Sequence, residues 1–182
     1  EETAKNGEWR TGPGIGLVGV LRDWFHDTRF IAEDLGYLTP SVMQLVKDSG
    51  FPGMKVLEFA FDSREPSNYL PHTYTPNCVC YVGTHDNETA MQWWKKISRA
   101  DSAYARRYLG LNSREGINWG LIRGGMSSVA ELFVGQLSDF LGLGAEARIN
   151  EPGNPSGNWR WRLQPGQLTD ELAANTPVCT AA

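Results

Sequence analysis

An α/β fold built on a parallel sheet is the class this sequence predicts, and three observations predict it. Strand-length apolar runs alternate with segments of helical period, the pattern of βα units. Two of those runs end in polar clusters that carry carboxylates, Glu33-Asp34 and Thr84-His85-Asp86-Asn87, where parallel strands deliver their C-terminal ends. Hydrophobic residues make up 41% of the 182 and charged residues 21%, enough apolar side chain for a sizeable core.

Taken in order, residues 18–25 carry Val18, Leu21, Trp24 and Phe25 at helical spacing. A short polar turn leads into Arg29-Phe30-Ile31-Ala32-Glu33, read as a buried strand. Thr39 then offers an N-cap, Pro40 a first-turn proline, Val42, Leu45 and Val46 an apolar stripe, and Gly50 with Pro52 the stop, which makes this the clearest helix. Residues 54–61 form a second strand-length run that includes Phe59 and Phe61, followed by a Pro-, Ser- and Asn-rich loop over 63–76. Residues 78–82 read as a third strand. Thr89 and Gln92 have capping-box spacing and open a helix to Ile97. Helical patterns occupy 102–109 and 117–122, and 132–136 reads as a fourth strand. Four such strands are half of an eight-stranded barrel, with two open edges and apolar surface that would make the isolated chain prone to aggregate. Residues 173–182 are expected to be a disordered tail.

The net charge is -4 and the 17 Lys and Arg are scattered, so the electrostatic footprint of a nucleic-acid binder is missing. No apolar run approaches the ~20 residues that span a bilayer. The N-terminus reads Glu1-Glu2-Thr3, without a charged-then-apolar signal segment, and the expected location is the cytoplasm. A start without Met fits a start inside a longer protein. Cys78, Cys80 and Cys179 are odd in number and lack metal-ligand spacing, which speaks against a disulfide framework or a zinc site. Cys78 and Cys80 flank Val79 on one strand and are read as packing.

Glu33 follows apolar strand residues, and a carboxylate held there has its pKa raised by desolvation, as a general acid near neutral pH requires. The alternative is that Glu33 or Asp34 caps the following loop or binds a basic neighbour. Asp86 offers an acceptor for sugar hydroxyls and negative charge near a developing cation, His85 offers a donor, and Asn87 completes the polar group. Equally, Asp86 or Asn87 caps the next helix. Two strands would then aim carboxylates at one mouth. Asp62 follows the second strand and is either a third polar group at that mouth or a loop cap. Asn150 opens a loop dense in amides, guanidinium groups and indoles, including Trp159 and Trp161, and such a loop suits sugars, whose rings combine apolar faces with hydroxyl edges. The alternation of Trp and Arg also fits a cation–π lock of the chain end.

Four segments, in this order, resemble the motifs of bacterial and plastid 4-α-glucanotransferases, glycoside hydrolase family 77. They are Ile31-Ala32-Glu33-Asp34-Leu35-Gly36, Phe51-Pro52-Gly53-Met54-Lys55-Val56-Leu57, Gly83-Thr84-His85-Asp86-Asn87 and Ser156-Gly157-Asn158-Trp159-Arg160-Trp161-Arg162. Asn6-Gly7-Glu8-Trp9-Arg10 and Gly12-Pro13-Gly14 resemble the segment before the acid/base strand in that family. The resemblance implies that residues 1–172 are the second half, about strands five to eight, of a (β/α)8 TIM-type barrel. It implies a retaining double-displacement transferase that moves α-1,4-glucan segments onto glucose or maltooligosaccharides, without metal or organic cofactor. Glu33 matches the general acid/base, Asp86 the carboxylate that binds and distorts the donor sugar, His85 its hydroxyl-binding neighbour, and Asn150 and Phe59 residues that line the cleft. The family's nucleophile is an aspartate in an Arg-Ile-Asp-His-type motif on the preceding strand, and that motif is absent from this sequence. This chain is therefore expected to be inactive alone and to need the N-terminal half of the barrel as its partner. A plant or algal source would place it in a plastid. The alternatives are a non-catalytic α-glucan-binding module or pseudoenzyme, and an α-amylase-type hydrolase, which residues 157–162 disfavour.

Overall fold

Residues 7–8, 10–36 and 38–176 are described by the computed structural model, in two units that divide at Gly53. Asn6 and Trp9 of the opening motif, and Cys179, lie outside the described residues.

In the first unit, α1 (Ile15–Trp24) packs on α2 (Pro40–Ser49). α2 forms where its signals predict. Thr39 Oγ1 accepts from Val42 N at 3.4 Å, Pro40 opens the first turn, and Gly50 ends the helix in the left-handed region at φ 62°. Arg22 of α1 donates to the Ser49 carbonyl at the end of α2, placing a cation on an orphan carbonyl. Its guanidinium also lies 5.5 Å from the Phe51 ring, which stacks on Phe30 at 5.2 Å. Residues 29–33 do not form the expected buried strand. The pairing there is a single parallel bridge, Ala32 with Gly53, in which Ala32 N donates to Pro52 O at 2.9 Å. Proline has no N–H to continue the ladder, so the pairing stops and Ile31 remains 46% exposed.

The second unit is organised by a three-stranded sheet in the order β1-β2-β3, with β1 at Gly53–Val56, β2 at Cys78–Tyr81 and β3 at Leu132–Val134. β2 pairs with β3 in parallel, Val79 opposite Leu132, Cys80 opposite Phe133 and Tyr81 opposite Val134. The crossover between them carries α3 (Ala90–Lys96), α4 (Arg99–Leu109) and α5 (Ile117–Met126). Cys78, Val79 and Cys80 are all buried, so β2 is covered on both faces, as a central parallel strand must be. Burial pushes the Cys80 thiol up to about 11, consistent with a packing role.

The expected second strand ends at Val56. Residues Leu57–Phe59 turn into a 3-10 helix, closed by Ala60 N donating to Leu57 O at 2.9 Å. The turn carries Phe61 into an aromatic cluster with Trp93, Tyr104 and Tyr108, at ring separations of 6.2, 5.9 and 6.0 Å, and leaves Phe59 exposed. Packing of that cluster outweighs the strand propensity of the run. Three strands and the Ala32 bridge therefore stand where four strands were expected.

α4 starts at Arg99 because Ser98 Oγ accepts from Asp101 N at 3.1 Å, and α5 runs on to Met126. Two short helices follow, α6 (Leu137–Phe140) and α7 (Asp170–Asn175), the latter capped by Thr169. The first residues of the stretch expected to be a tail are thus helical, while 177–182 lie outside the described residues. No described helix is long and apolar enough to cross a membrane.

Two glycines test this packing. A Cβ on Gly125 of α5 would lie 2.8 Å from Phe133 Cδ2 and 3.4 Å from Cys80 Sγ, whereas one on Gly19 of α1 would meet nothing within 4 Å. Gly125→Ala is expected to lower stability by about 1–3 kcal/mol through overpacking. Gly19→Ala should raise it by about 0.5–1 kcal/mol through helix propensity. Denaturant midpoints that move in the same direction for both would contradict the packing described.

Candidate active site

Beyond the buried β2, polar side chains appear together. Thr84 N and Oγ1 donate to Asn87 Oδ1 at 2.8 and 2.7 Å, and Asp86 N donates to Thr84 Oγ1 at 3.3 Å. Asn87 thus builds the turn, and its side-chain oxygen is occupied in doing so. Gln136, just after β3, donates to the carbonyls of Gly83 and Thr84 at 3.2 and 2.9 Å, which ties the turn to the neighbouring strand end. His85 and Asp86 are left exposed at its tip. Thr89 caps α3 by accepting from Gln92 N at 3.2 Å, but the reciprocal half of the expected capping box is not made, and Gln92 Oε1 is buried without a hydrogen-bond partner.

Asp86 is gripped from a second loop. Asn150 Nδ2 donates to Asp86 Oδ1 at 2.6 Å, and His85 Nε2 lies 3.3 Å from the same oxygen. The His85 ring is 5.2 Å from that of Trp159, whose backbone sits in the left-handed region at φ 62° and whose N–H donates to Ile149 O at 2.7 Å. A tryptophan in that region is a conformational outlier, kept only where surrounding contacts enforce it. Arg148 joins the two loops, donating from Nε to Asn150 O at 2.9 Å and from Nη2 to Asp86 O at 3.0 Å. Its Nη1 lies 3.8 Å from Glu88 and 3.9 Å from Glu151, and Glu88 also pairs with Lys96. Arg162 bonds the carbonyls of Trp159 and Trp161 at 2.9 and 2.7 Å. A polar cleft of about 300 Å³ beside Arg148 is lined by Gln92, Lys96, Asn150, Asn154 and Asn158 among others. Among the described residues, no three His, Cys, Asp or Glu side chains are grouped to hold a metal ion.

Glu33 belongs to the first unit, where it is exposed and its Oε1 accepts from Leu35 N at 3.3 Å. The desolvated carboxylate expected there is not found, because the strand before it is reduced to one bridge. Phe59 sits on the 3-10 turn, edge-on to Tyr69 at 5.5 Å. Asp62 is a loop cap, accepting from Arg64 N at 2.9 Å and from the Arg64 guanidinium at 2.8 and 2.6 Å, and these bonds hold its carboxyl down to about 2.

A family model described as 4-alpha-glucanotransferase matches residues 1–169. The chain belongs to the 4-alpha-glucanotransferase family. It is 47% identical over 174 residues to the 4-alpha-glucanotransferase of Clostridium butyricum, covering 95% of this chain and 36% of that protein. It is 46% identical over 182 residues to that of Synechocystis, covering 99% of this chain and again 36% of the relative. The structure is similar to the amylomaltase from Streptococcus agalactiae in complex with acarbose, with a TM-score of 0.90 and 35% identity over 96% of this chain and 36% of that one. The chain thus spans about a third of the length of these family members.

Two acidic residues of this family member escaped the sequence reading. Glu58 is 8% exposed and Asp139 is fully buried. Glu58 N donates to Val82 O at 3.1 Å, and its Oε1 lies against Gly83 without a hydrogen-bond partner. Burial pushes the Glu58 carboxyl up to about 9, the nearby Asp139 and Glu88 carboxyls push the same way, and Arg148 opposes them. Asp139 Oδ1 accepts from Ala90 N at the start of α3 at 2.8 Å, and burial pushes this carboxyl up to about 6. Glu58 had a signal, since one acid inside the run Val56-Leu57-Glu58-Phe59-Ala60 is either at the surface or specially accommodated. Asp139 had none.

An acid whose folded pKa is raised stabilises the fold fully below its unfolded pKa, and that contribution is lost as pH rises through the folded value. For Glu58 the window runs from its ordinary 4.5 to about 9. Stability should fall across it with a slope approaching 1.4 kcal/mol per pH unit, about that expected of one group. Glu58→Gln should flatten this slope between about pH 6 and 9, above the titration of Asp139. Thermal midpoints recorded across that range check it, and an unchanged slope in the variant would refute the buried neutral acid.

Proposed function

We propose that this chain is the acid/base-bearing half, about strands five to eight, of the (β/α)8 barrel of a 4-α-glucanotransferase. The observation that carries the proposal is the joint one of a family match over residues 1–169 and the Asp86–His85–Asn150–Trp159 cluster at the end of β2. The substrates are α-1,4-glucans and maltooligosaccharides, with glucose or a shorter oligosaccharide as acceptor. The Streptococcus agalactiae amylomaltase that this chain resembles was captured with acarbose, which supports an oligosaccharide ligand.

In this reading Glu33 protonates the glycosidic oxygen of the leaving segment and later takes the proton of the acceptor hydroxyl. Asp86 accepts hydroxyl hydrogen bonds from the donor sugar and stabilises the developing oxocarbenium charge. Asn150 orients that carboxylate by donating to one of its oxygens, and His85 donates to a neighbouring hydroxyl. Phe59, exposed on its turn, offers a ring face to a sugar. The nucleophilic aspartate comes from the rest of a family-length protein, since retaining chemistry needs two carboxyl groups about 5–5.5 Å apart. Trp159, held against His85, shields the covalent intermediate from water so that a sugar hydroxyl intercepts it.

The test is disproportionation of maltotriose by the full-length protein that contains this chain. Glu33→Gln should reduce kcat/KM by about 10²–10⁴-fold, the usual contribution of a general acid/base. Asp86→Asn should lose about 10²-fold or more, as expected for a group that stabilises transition-state charge. Near-normal transfer by Glu33→Gln would end the assignment. Oligosaccharide binding with no transfer by the unaltered protein would instead favour a non-catalytic α-glucan-binding module.

A further inference from the structure

Glu58 is placed where it can act on the site without touching the sugar. It is the first residue beyond β1 to bond the β2 side, through Glu58 N and Val82 O, and its side chain runs beneath the turn that presents Asp86. A Cβ on Gly83 would lie 2.9 Å from Glu58 Oε1 and 3.1 Å from Asn87 Cβ, so the carboxyl borders the turn at position 83 and a side chain there would have to displace it. We infer that Glu58 is a positioning residue for Asp86 and Asn150, acting through the turn it supports and through Arg148. The inference rests on the transferase reading above for the reaction it serves.

Charged groups of both signs surround this carboxyl. Asp139 faces it from α6, Glu88 from the segment before α3, and Arg148 from the segment after residues Ala145–Ala147, with Lys96 of α3 bound to Glu88. Of these, Arg148 is the cation that acts on Glu58 directly. Its Nε and Nη2 are committed to the carbonyls of Asn150 and Asp86, whereas Nη1 has only the two long pairings at 3.8 and 3.9 Å. A neutral Glu58 leaves that arrangement alone. An ionised Glu58 becomes a buried anion among two other carboxyl groups, and a buried anion demands a partner. Arg148 is the cation whose charge favours the ionised form, and drawing its guanidinium toward Glu58 breaks its bonds to Asp86 O and Asn150 O. The Asn150–Asp86 bond at 2.6 Å then loses the support of both backbones. The raised pKa of Glu58, about 9, keeps the carboxyl neutral through physiological pH and sets where the arrangement fails.

The experiment uses the full-length protein. The kcat/KM for maltotriose should fall along an alkaline limb with an apparent pKa of about 9. In Glu58→Gln, which keeps the shape and cannot ionise, the limb should disappear or move by more than one pH unit, while Glu58→Asp should keep a limb. If glutamine impairs folding, Glu58→Met supplies a non-ionising side chain of similar volume. A second readout does not depend on turnover. The His85 ring resonance, from labelled histidine, should shift with the same midpoint in the wild type and not in Glu58→Gln, because His85 reports the position of Asp86. A limb that persists unchanged in the non-ionising variants, or a His85 resonance that is flat between pH 8 and 10 in the wild type, would overturn the inference. Absence of transfer at every pH would defeat the transferase reading alone, and the His85 titration would then decide the role of Glu58.

Discussion

A strand buried on both faces can present polar chemistry only where it ends, and the second unit is arranged around that constraint. Cys78, Val79 and Cys80 leave no exposed face on β2. The first hydroxyl, imidazole, carboxylate and amide after it therefore arrive together, in residues 84–87. A parallel neighbour puts the end of β3 at the same level, which is why Gln136 reaches the carbonyls of Gly83 and Thr84. The turn is thus fixed by hydrogen bonds to two strand ends before any ligand is considered.

What the sheet cannot do is bring in the loop that carries Asn150, sixty-four residues further on. Arg148 does that. One planar guanidinium spans two backbone carbonyls from different loops, a geometry that an ammonium on a flexible stem would not hold. Its charge is balanced by Glu88 and Glu151, of which Glu88 is itself held by Lys96. The consequence is a side chain of 18% exposure that is bonded to the Asp86 and Asn150 backbones at once.

Much of this was legible in the sequence, and the failures have physical causes. The caps at Thr39 and Thr89 and the stop at Gly50 are local chemistry, and α2 and α3 appear where those signals put them. Strand lengths were overread at 29–33 and 54–61. In the first, Pro52 interrupts the ladder from the partner side. In the second, Phe61 is claimed by an aromatic cluster whose members lie more than thirty residues away, and no window of sequence contains that competition. The polar cluster of His85, Asp86 and Asn87 was found because strand ends are predictable. Its partner Asn150 was found from loop composition and family resemblance. Glu58 was passed over because a period-2 reading hides one acid among apolar neighbours, and the burial that makes it consequential is tertiary.

The glycine at 83 and the acid at 58 explain each other. Position 83 is not in the positive-φ region, so backbone conformation alone does not demand glycine there. The demand comes from Glu58 Oε1, which occupies the space a Cβ would need. Conversely, a carboxyl beside a bare Cα whose Oε1 is buried has no donor on that oxygen and is stable only while it keeps its proton. Alanine at 83 would displace the carboxyl from its place, and a smaller residue at 58 would leave the turn without that contact. Substitutions at the two positions should therefore be non-additive, as expected for groups that share one contact. The same contact links a backbone choice just beyond β2 to the protonation state of an acid.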